Sequence, residues 1–129
     1  MVNAGESNNR NKSLGEAGES IAVTFLKGQL FTIIERNFRC KCGEIDIIAR
    51  DGRTFVFVEV KTRRNEACGP PQASVTTFKQ RQISKAALTW LAKKNLHEAS
   101  ARFDVIAILQ RDHAVPVIEH IKNAFDLAY

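Results

Sequence analysis

The run Phe55-Val56-Phe57-Val58-Glu59-Val60-Lys61 constrains the fold of this 129-residue chain more than any other feature. Aromatic and β-branched residues fill it almost without interruption, which is the composition of a strand buried on both faces. Alternation with period two puts Phe55, Phe57, Glu59 and Lys61 on one face and Val56, Val58 and Val60 on the other. A carboxylate and an ammonium thus enter an otherwise apolar strand. Desolvating an unpaired carboxylate costs on the order of several kcal/mol, so a cation or a metal ion must accompany it.

The neighbouring elements follow from local signals. Asp51-Gly52, between the run and a preceding strand at Glu44–Arg50, is the strongest short hairpin signal in the chain. If the hairpin closes there with two or four loop residues, Asp46 faces Phe57 and lies diagonal to Glu59 on the same face. Leu30–Phe38 reads as a further strand. Ser13-Leu14-Gly15-Glu16 reads as a capping box that opens a helix to about Lys27, with Gly28 as its stop. Arg64–Ser74, with Cys68-Gly69-Pro70-Pro71, reads as a loop. A long helix is expected over Val75–Asn95, then strands at Ala101–Leu109 and Val115–Ile121, the latter an edge strand because of Pro116. The order is α-β-β-β-α-β-β: an α/β fold with a mixed sheet flanked by helices. The strands joined by the long helix are expected to run parallel. Residues 1–12 read as a flexible lead-in and 13–129 as one domain.

No unbroken apolar run approaches the roughly 18 residues of a membrane helix. The polar, Asn-rich stretch Met1–Lys12 has no apolar h-region, so the chain is expected to remain in the cytoplasm. Three cysteines, Cys40, Cys42 and Cys68, argue for reduced thiols rather than a disulfide framework. Their spacing falls outside the usual zinc pattern, even with His97 as a fourth ligand. The net charge of +5 favours an acidic partner, nucleic acid above all. Three basic clusters carry that charge: Arg36 with Arg39 and Lys41, Lys61 with Arg63 and Arg64, and Lys79 with Gln80 and Arg81. Each alone reads as solvated surface. Together they bracket one acidic centre and supply Arg36, Arg39, Arg63, Arg64, Lys79 and Gln80 as candidate contacts to nucleic acid.

An ion pair to Lys61 would account for one of Asp46 and Glu59 but leave the other beside a like charge. A divalent ion neutralises both. Mg²⁺, with Mn²⁺ as substitute, suits hard oxygen donors with no His or Cys nearby. Asp46 and Glu59, joined by the Val60 carbonyl, are therefore candidate metal ligands. Lys61 is the candidate group to orient water or to balance charge on a phosphate. In the first helix, Glu16 is absorbed by capping, whereas Glu19 borders the apolar stripe beside Gly15 and Gly18.

Asp46, twelve intervening residues and then Glu59-Val60-Lys61 resembles the D…(D/E)-x-K core of the restriction-endonuclease-like superfamily. Longer stretches resemble the bacterial YraN family: Gly18-Glu19, Glu35-Arg36-Asn37-Phe38-Arg39, Gly43-Glu44-Ile45-Asp46-Ile47-Ile48-Ala49, Phe57-Val58-Glu59-Val60-Lys61-Thr62-Arg63 and Arg102-Phe103-Asp104-Val105. The resemblance runs from about residue 14 to residue 125. It implies an endonuclease-like fold akin to Holliday-junction resolvases, with Asp46, Glu59 and Lys61 matching the motif and Glu19 matching an acidic position on helix one. It does not supply a substrate. The Asp46, Glu59 and Lys61 face together with the three basic clusters leads to the expectation of a nuclease acting on DNA, including branched or flap structures. Because resolvases work as two-fold dimers, a homodimer acting on two strands is expected with it. Fold and motif license a reaction type only. The alternatives are a non-catalytic nucleic-acid-binding module and an interaction protein docking a DNA-processing partner at the Pro116 edge or the Cys68–Pro71 loop.

Other residues are assigned by default to structure. Trp90 and Phe38 are expected in the core, and Arg102 and Asp104 as an ion pair on one strand face. His97, His113 and His120 receive no role.

Overall fold

The strand built on Phe55–Lys61 forms the middle of a five-stranded mixed sheet in a computed structural model that describes residues 4–65, 69–70 and 74–128. The elements run α1 (Ala4–Gly28), β1 (Thr32–Cys40), β2 (Gly43–Asp51), β3 (Thr54–Arg63), α2 (Thr77–Lys93), β4 (Ala101–Leu109) and β5 (Val117–Phe125). The α-β-β-β-α-β-β order and the α/β class are as expected. Spatial order follows chain order, β1-β2-β3-β4-β5. Only β3 and β4 pair in parallel, because α2 carries the chain back along the sheet between them.

Both faces of the sheet are covered, so β3 is apolar on both. On one face α2 contributes Ile83, Ala86, Ala87, Trp90 and Leu91 to a cluster with Phe57, Phe103 and Val105. On the other, Ala22, Val23 and Leu26 of α1 pack with Val56, Val58, Ile106 and Ile108. Among the described residues no helix is long and apolar enough to cross a membrane.

Several boundaries differ from the sequence expectation, each for a local reason. α1 begins at Ala4, so Ser13 lies inside the helix rather than at its N-terminus, and the 12/13 boundary is not where α1 starts. No proline interrupts Ala4–Lys12, and a nucleated helix extends at one hydrogen bond per residue. Gly28 does not terminate α1 in the left-handed conformation; Leu30 does, at φ 69°. The Leu30 amide donates to the Lys27 carbonyl and the Phe31 amide to the Leu26 carbonyl, a Schellman closure. Burial of Phe31 against Leu26 offsets the strain of placing a leucine there. β1 consequently starts at Thr32 rather than Leu30.

The β2–β3 hairpin also shifts. Asp51 pairs with Thr54, which leaves Gly52-Arg53 as the two-residue loop in place of Asp51-Gly52. Only Gly52 there has positive φ, at 61°, as a type II′ turn with glycine first requires. Asp51 is retained in the ladder, where its carboxylate meets Arg102 at 3.0 Å. β5 is an edge strand, as Pro116 suggested, but begins at Val117 and extends to Phe125 past a register shift opposite Asp104. In the Cys68–Pro71 loop, Cys68 and Pro71 lie outside the described residues.

Candidate active site

Two residues apart on a strand should face the same way, yet around Asp46 they do not. Ile45 packs in the α2-side cluster and Ile47 in the α1-side cluster. Across the ladder, Phe38 joins the α2 side while Arg36 reaches Glu19 of α1. Between these pairs stand Asn37 and Asp46, and Asn37 has φ 54°. Asparagine tolerates the left-handed region better than most residues. The pleat of both strands is therefore broken at one level, and the β2–β3 ladder ends at Ile47–Val58.

Where β2 leaves β3, the Val60 amide would lose its ladder partner. It donates instead to Asp46 Oδ2 at 2.8 Å. Asp46 therefore stands across from Glu59, one position beyond the last ladder pair, and not across from Phe57 as the hairpin expectation had it. That Asp46 and Glu59 would lie close was legible from the hairpin. The register was not.

Glu59 is 5% exposed. Its Oε1 lies 3.5 Å from Lys61 Nζ and 3.6 Å from Lys79 Nζ. Lys79 is brought there by the start of α2, where the Thr76 hydroxyl accepts from the Lys79 amide at 3.2 Å as the helix cap. From the opposite layer, α1 approaches β3 closely because Gly18 has no side chain: a Cβ there would overlap Thr62 Oγ1. Gly15 has open space around it, so of these two glycines it is Gly18 that permits the close approach. The approach carries Glu19 to the rim. Leu14, Gly15, Glu19, Asp46, Glu59 and Thr62 line a cavity of about 350 Å³.

Three carboxylates thus meet in one partly desolvated space. Burial, and then the neighbouring Asp46 charge, push the Glu59 carboxyl up to about 7, against the pull of Lys79 and Lys61. Burial also raises Asp46, opposed by the Val60 amide and the two lysines. Glu19 is raised by burial and by Asp46, while Arg36 at 3.9 Å and a hydrogen bond from Asn37 hold it down. Glu59 and Glu19 have cationic neighbours; among the described residues Asp46 has none within ion-pair distance. No three acidic, His or Cys side chains among the described residues form a ready-made ligand set.

A raised carboxyl favours the folded state when protonated. Its stabilisation is full below the unfolded value, near 4.5, and fades as pH rises through the folded value, near 7 for Glu59. Thermal melts should therefore show stability falling between about pH 5 and 8 in metal-free buffer. Glu59→Gln should flatten that slope and stabilise the protein at pH 8 by about 1–3 kcal/mol. An unchanged slope in the variant would remove Glu59 as its source.

The remaining candidates are distributed unevenly. Arg39 pairs with Glu44 at 3.3 Å beside a second cavity. The Arg63 guanidinium donates to the Gly69 carbonyl, and Arg64 is exposed. Gln80 Nε2 donates to the Val75 carbonyl at 3.0 Å, which ties the preceding loop to α2. Neither Arg63, Arg64 nor Gln80 lines the carboxylate cavity. Phe38 and Trp90 are core residues, and Arg102 and Asp104 form the anticipated pair. His120, given no role from sequence, contacts Asp104 at 2.7 Å. Asn37 was also missed. An asparagine inside an otherwise β-rich run was the available signal of a residue in the left-handed conformation.

The fold and site define an α/β protein with one mixed sheet whose broken β2–β3 ladder presents two carboxylates and two lysines together. The chain belongs to the uncharacterised protein family UPF0102, the YraN family anticipated above; the family's sequence profile matches residues 18–108. It is 82% identical over 119 residues to a UPF0102 protein of Geotalea uraniireducens, covering 92% of this chain and 94% of that one. A UPF0102 protein of Geotalea daltonii is 78% identical, covering 97% and 98% of the two chains. One from Syntrophus aciditrophicus is 48% identical, covering 93% and 94%.

Proposed function

We propose that the protein is a Mg²⁺-dependent endonuclease that hydrolyses phosphodiester bonds in DNA at the Asp46–Glu59–Lys61 site. One observation carries this reading. Asp46 and Glu59 stand together in a single cavity, desolvated and mutually repelling, and among the described residues no cation lies within ion-pair distance of Asp46, Lys79 and Lys61 acting on it only from farther away. A hard divalent cation accounts for both carboxylates at once. The donor set fits Mg²⁺, which needs only one or two protein carboxylates beside water and substrate oxygens. When bound, the ion would supply Lewis-acid polarisation of the phosphodiester and a water of lowered pKa.

The chain's own groups do the rest. Asp46, fixed by the Val60 amide, keeps a carboxylate at the cavity wall. Ionised Glu59 anchors Lys61 and Lys79, so their ammonium groups stay where negative charge accumulates on the phosphoryl oxygens as water adds to phosphorus. The phosphorus–oxygen bond to the leaving strand then breaks, and a proton from water completes its hydroxyl. The likeness of Asp46, Glu59-Val60-Lys61 and Glu19 to the endonuclease-like motif supports the same reading.

The test is a panel of duplexes, single strands, flaps and four-way junctions incubated with the purified protein in Mg²⁺ or Mn²⁺. Cleavage products that vanish with chelator support the proposal. Absence of cleavage throughout, with no saturable Mn²⁺ binding by calorimetry, would favour a non-catalytic binding module.

A further inference from the structure

A second cavity, of about 370 Å³, opens between the turn that joins β1 to β2 and the first turns of α2. Its floor is closed by the approach of Gly43 to α2, where a Cβ would meet the Gln82 carbonyl oxygen at 3.0 Å. Arg39, Lys41 and Lys79 line it, opposed by Glu44, which Arg39 already engages at 3.3 Å. The cavity therefore carries a surplus of positive charge. Lys79 belongs to both sites: it lines this cavity and reaches Glu59 in the catalytic one.

Phe78 immediately precedes Lys79 and is 69% exposed. It does not line the cavity itself, but it stands one helical turn before Gln82 and next to Lys79, both of which do. Exposing an aromatic ring of this size forfeits its burial in the core. A cationic cavity alone would suit any polyanion. An aromatic face beside it suits only one whose bases are accessible, because in a duplex the base faces are occupied by stacking on each other.

We propose that the Arg39–Lys41–Lys79 cavity holds a backbone phosphate of a single-stranded nucleic-acid segment leading from the catalytic cavity, with Phe78 stacked on an unpaired base. This rests on the endonuclease reading for the neighbouring site and narrows its substrate to nucleic acid with an unpaired stretch at the point of cleavage. Phosphate contacts position the strand and stacking selects for its unpaired state.

Fluorescence anisotropy with labelled oligo(dT), oligo(U) and a duplex of equal length, in chelator to prevent cleavage, tests it directly. The wild-type protein should bind at least one single strand more tightly than the duplex, and the tighter strand identifies the sugar. Phe78→Ala should weaken single-strand binding about 5- to 100-fold with duplex binding unchanged, while Phe78→Trp should retain it. Lys41→Gln should weaken binding to every oligonucleotide and make the salt dependence shallower by about one phosphate contact. Duplex binding as tight as single-strand binding, or a Phe78→Ala protein that folds normally and binds single strands unchanged, would overturn the proposal. Phe78-dependent binding without cleavage in Mg²⁺ would retain this site and remove the endonuclease reading. Cleavage indifferent to Phe78 would do the reverse.

Discussion

Asp46→Asn should lower phosphodiester cleavage by about 10³-fold and leave the fold intact. The magnitude follows from losing several kcal/mol of charge stabilisation at a metal-assisted centre, at about 1.4 kcal/mol per factor of ten. The substitution isolates charge from structure because the asparagine side-chain oxygen can still accept the Val60 amide that Asp46 Oδ2 accepts at 2.8 Å. The thermal midpoint should stay level or rise, since the raised pKa of Asp46 marks an anion that burial disfavours. Mn²⁺ titration should show a saturable site in the wild-type protein and none in the variant. Cleavage that persists in an Asp46→Asn, Glu59→Gln double variant would separate these carboxylates from the chemistry altogether. A large loss of thermal stability in Asp46→Asn would instead assign the carboxylate a structural role.

The second large effect lies away from the cavity, at Asp104. Asp104 is fully buried and surrounded by donors: Arg102 Nε at 3.0 Å and Nη2 at 3.3 Å, His120 Nε2 at 2.7 Å and the Asn123 amide at 3.0 Å. The Asn123 amide is available because β5 changes register opposite Asp104 and Asn123 adopts φ 51°. Asp104→Ala would leave His120 and that amide without an acceptor and strip Arg102 of one of its two carboxylates, the other being Asp51. Removing one partner from a buried charged network costs about 3–5 kcal/mol, which corresponds to a fall in thermal midpoint of about 10–20 °C in a chain of this size. Differential scanning calorimetry measures it directly. A fall of less than about 3 °C would show that the network contributes little net stability.

The same residue contributes to stability on the acid side. Although burial acts to raise it, the hydrogen bonds from His120, Arg102 and Asn123 hold the Asp104 carboxyl below its ordinary range. Its stabilisation is full above the unfolded value and is lost as pH falls through the depressed folded one. Glu59, Asp46 and Glu19 act with the opposite sign, since their carboxyls are raised. Stability should consequently peak in weakly acidic buffer, with Asp104 responsible for the decline below the peak and the cavity carboxylates for the decline above it. Under the proposed function Mg²⁺ should lift only the alkaline side, because it would bind the ionised carboxylates.

Much of this was legible locally. Alternation along Phe55–Lys61 identified a strand buried on both faces, and the α2 stripe through Ile83, Ala87 and Trp90 identified its cover. With a hairpin loop of two or four residues, regular alternation expects Asp46 and Glu59 on a common face, an expectation that does not foresee the break in the β2 pleat at Asp46. Pairing partners are different in kind. Whether Asp51 enters the turn or the ladder depends on Arg102, from a strand about fifty residues later, and on the positive φ that only Gly52 supplies without strain. For the same reason His120 looked idle until β5 was laid against β4.

Asp46, Glu59 and Lys61 show the same division within one site. Local pattern singled out Asp46, Glu59 and Lys61 as candidates and set which way the β3 side chains face, because strand period and hydrophobic pattern act over a few residues. Packing of the layers is what turns β2 away from β3 at Asp46, lets Asn37 absorb the break, lets Gly18 admit Glu19 and brings Lys79 to Glu59. Each of these is a contact between elements distant along the chain, and its geometry is set by how the layers pack rather than by any local preference.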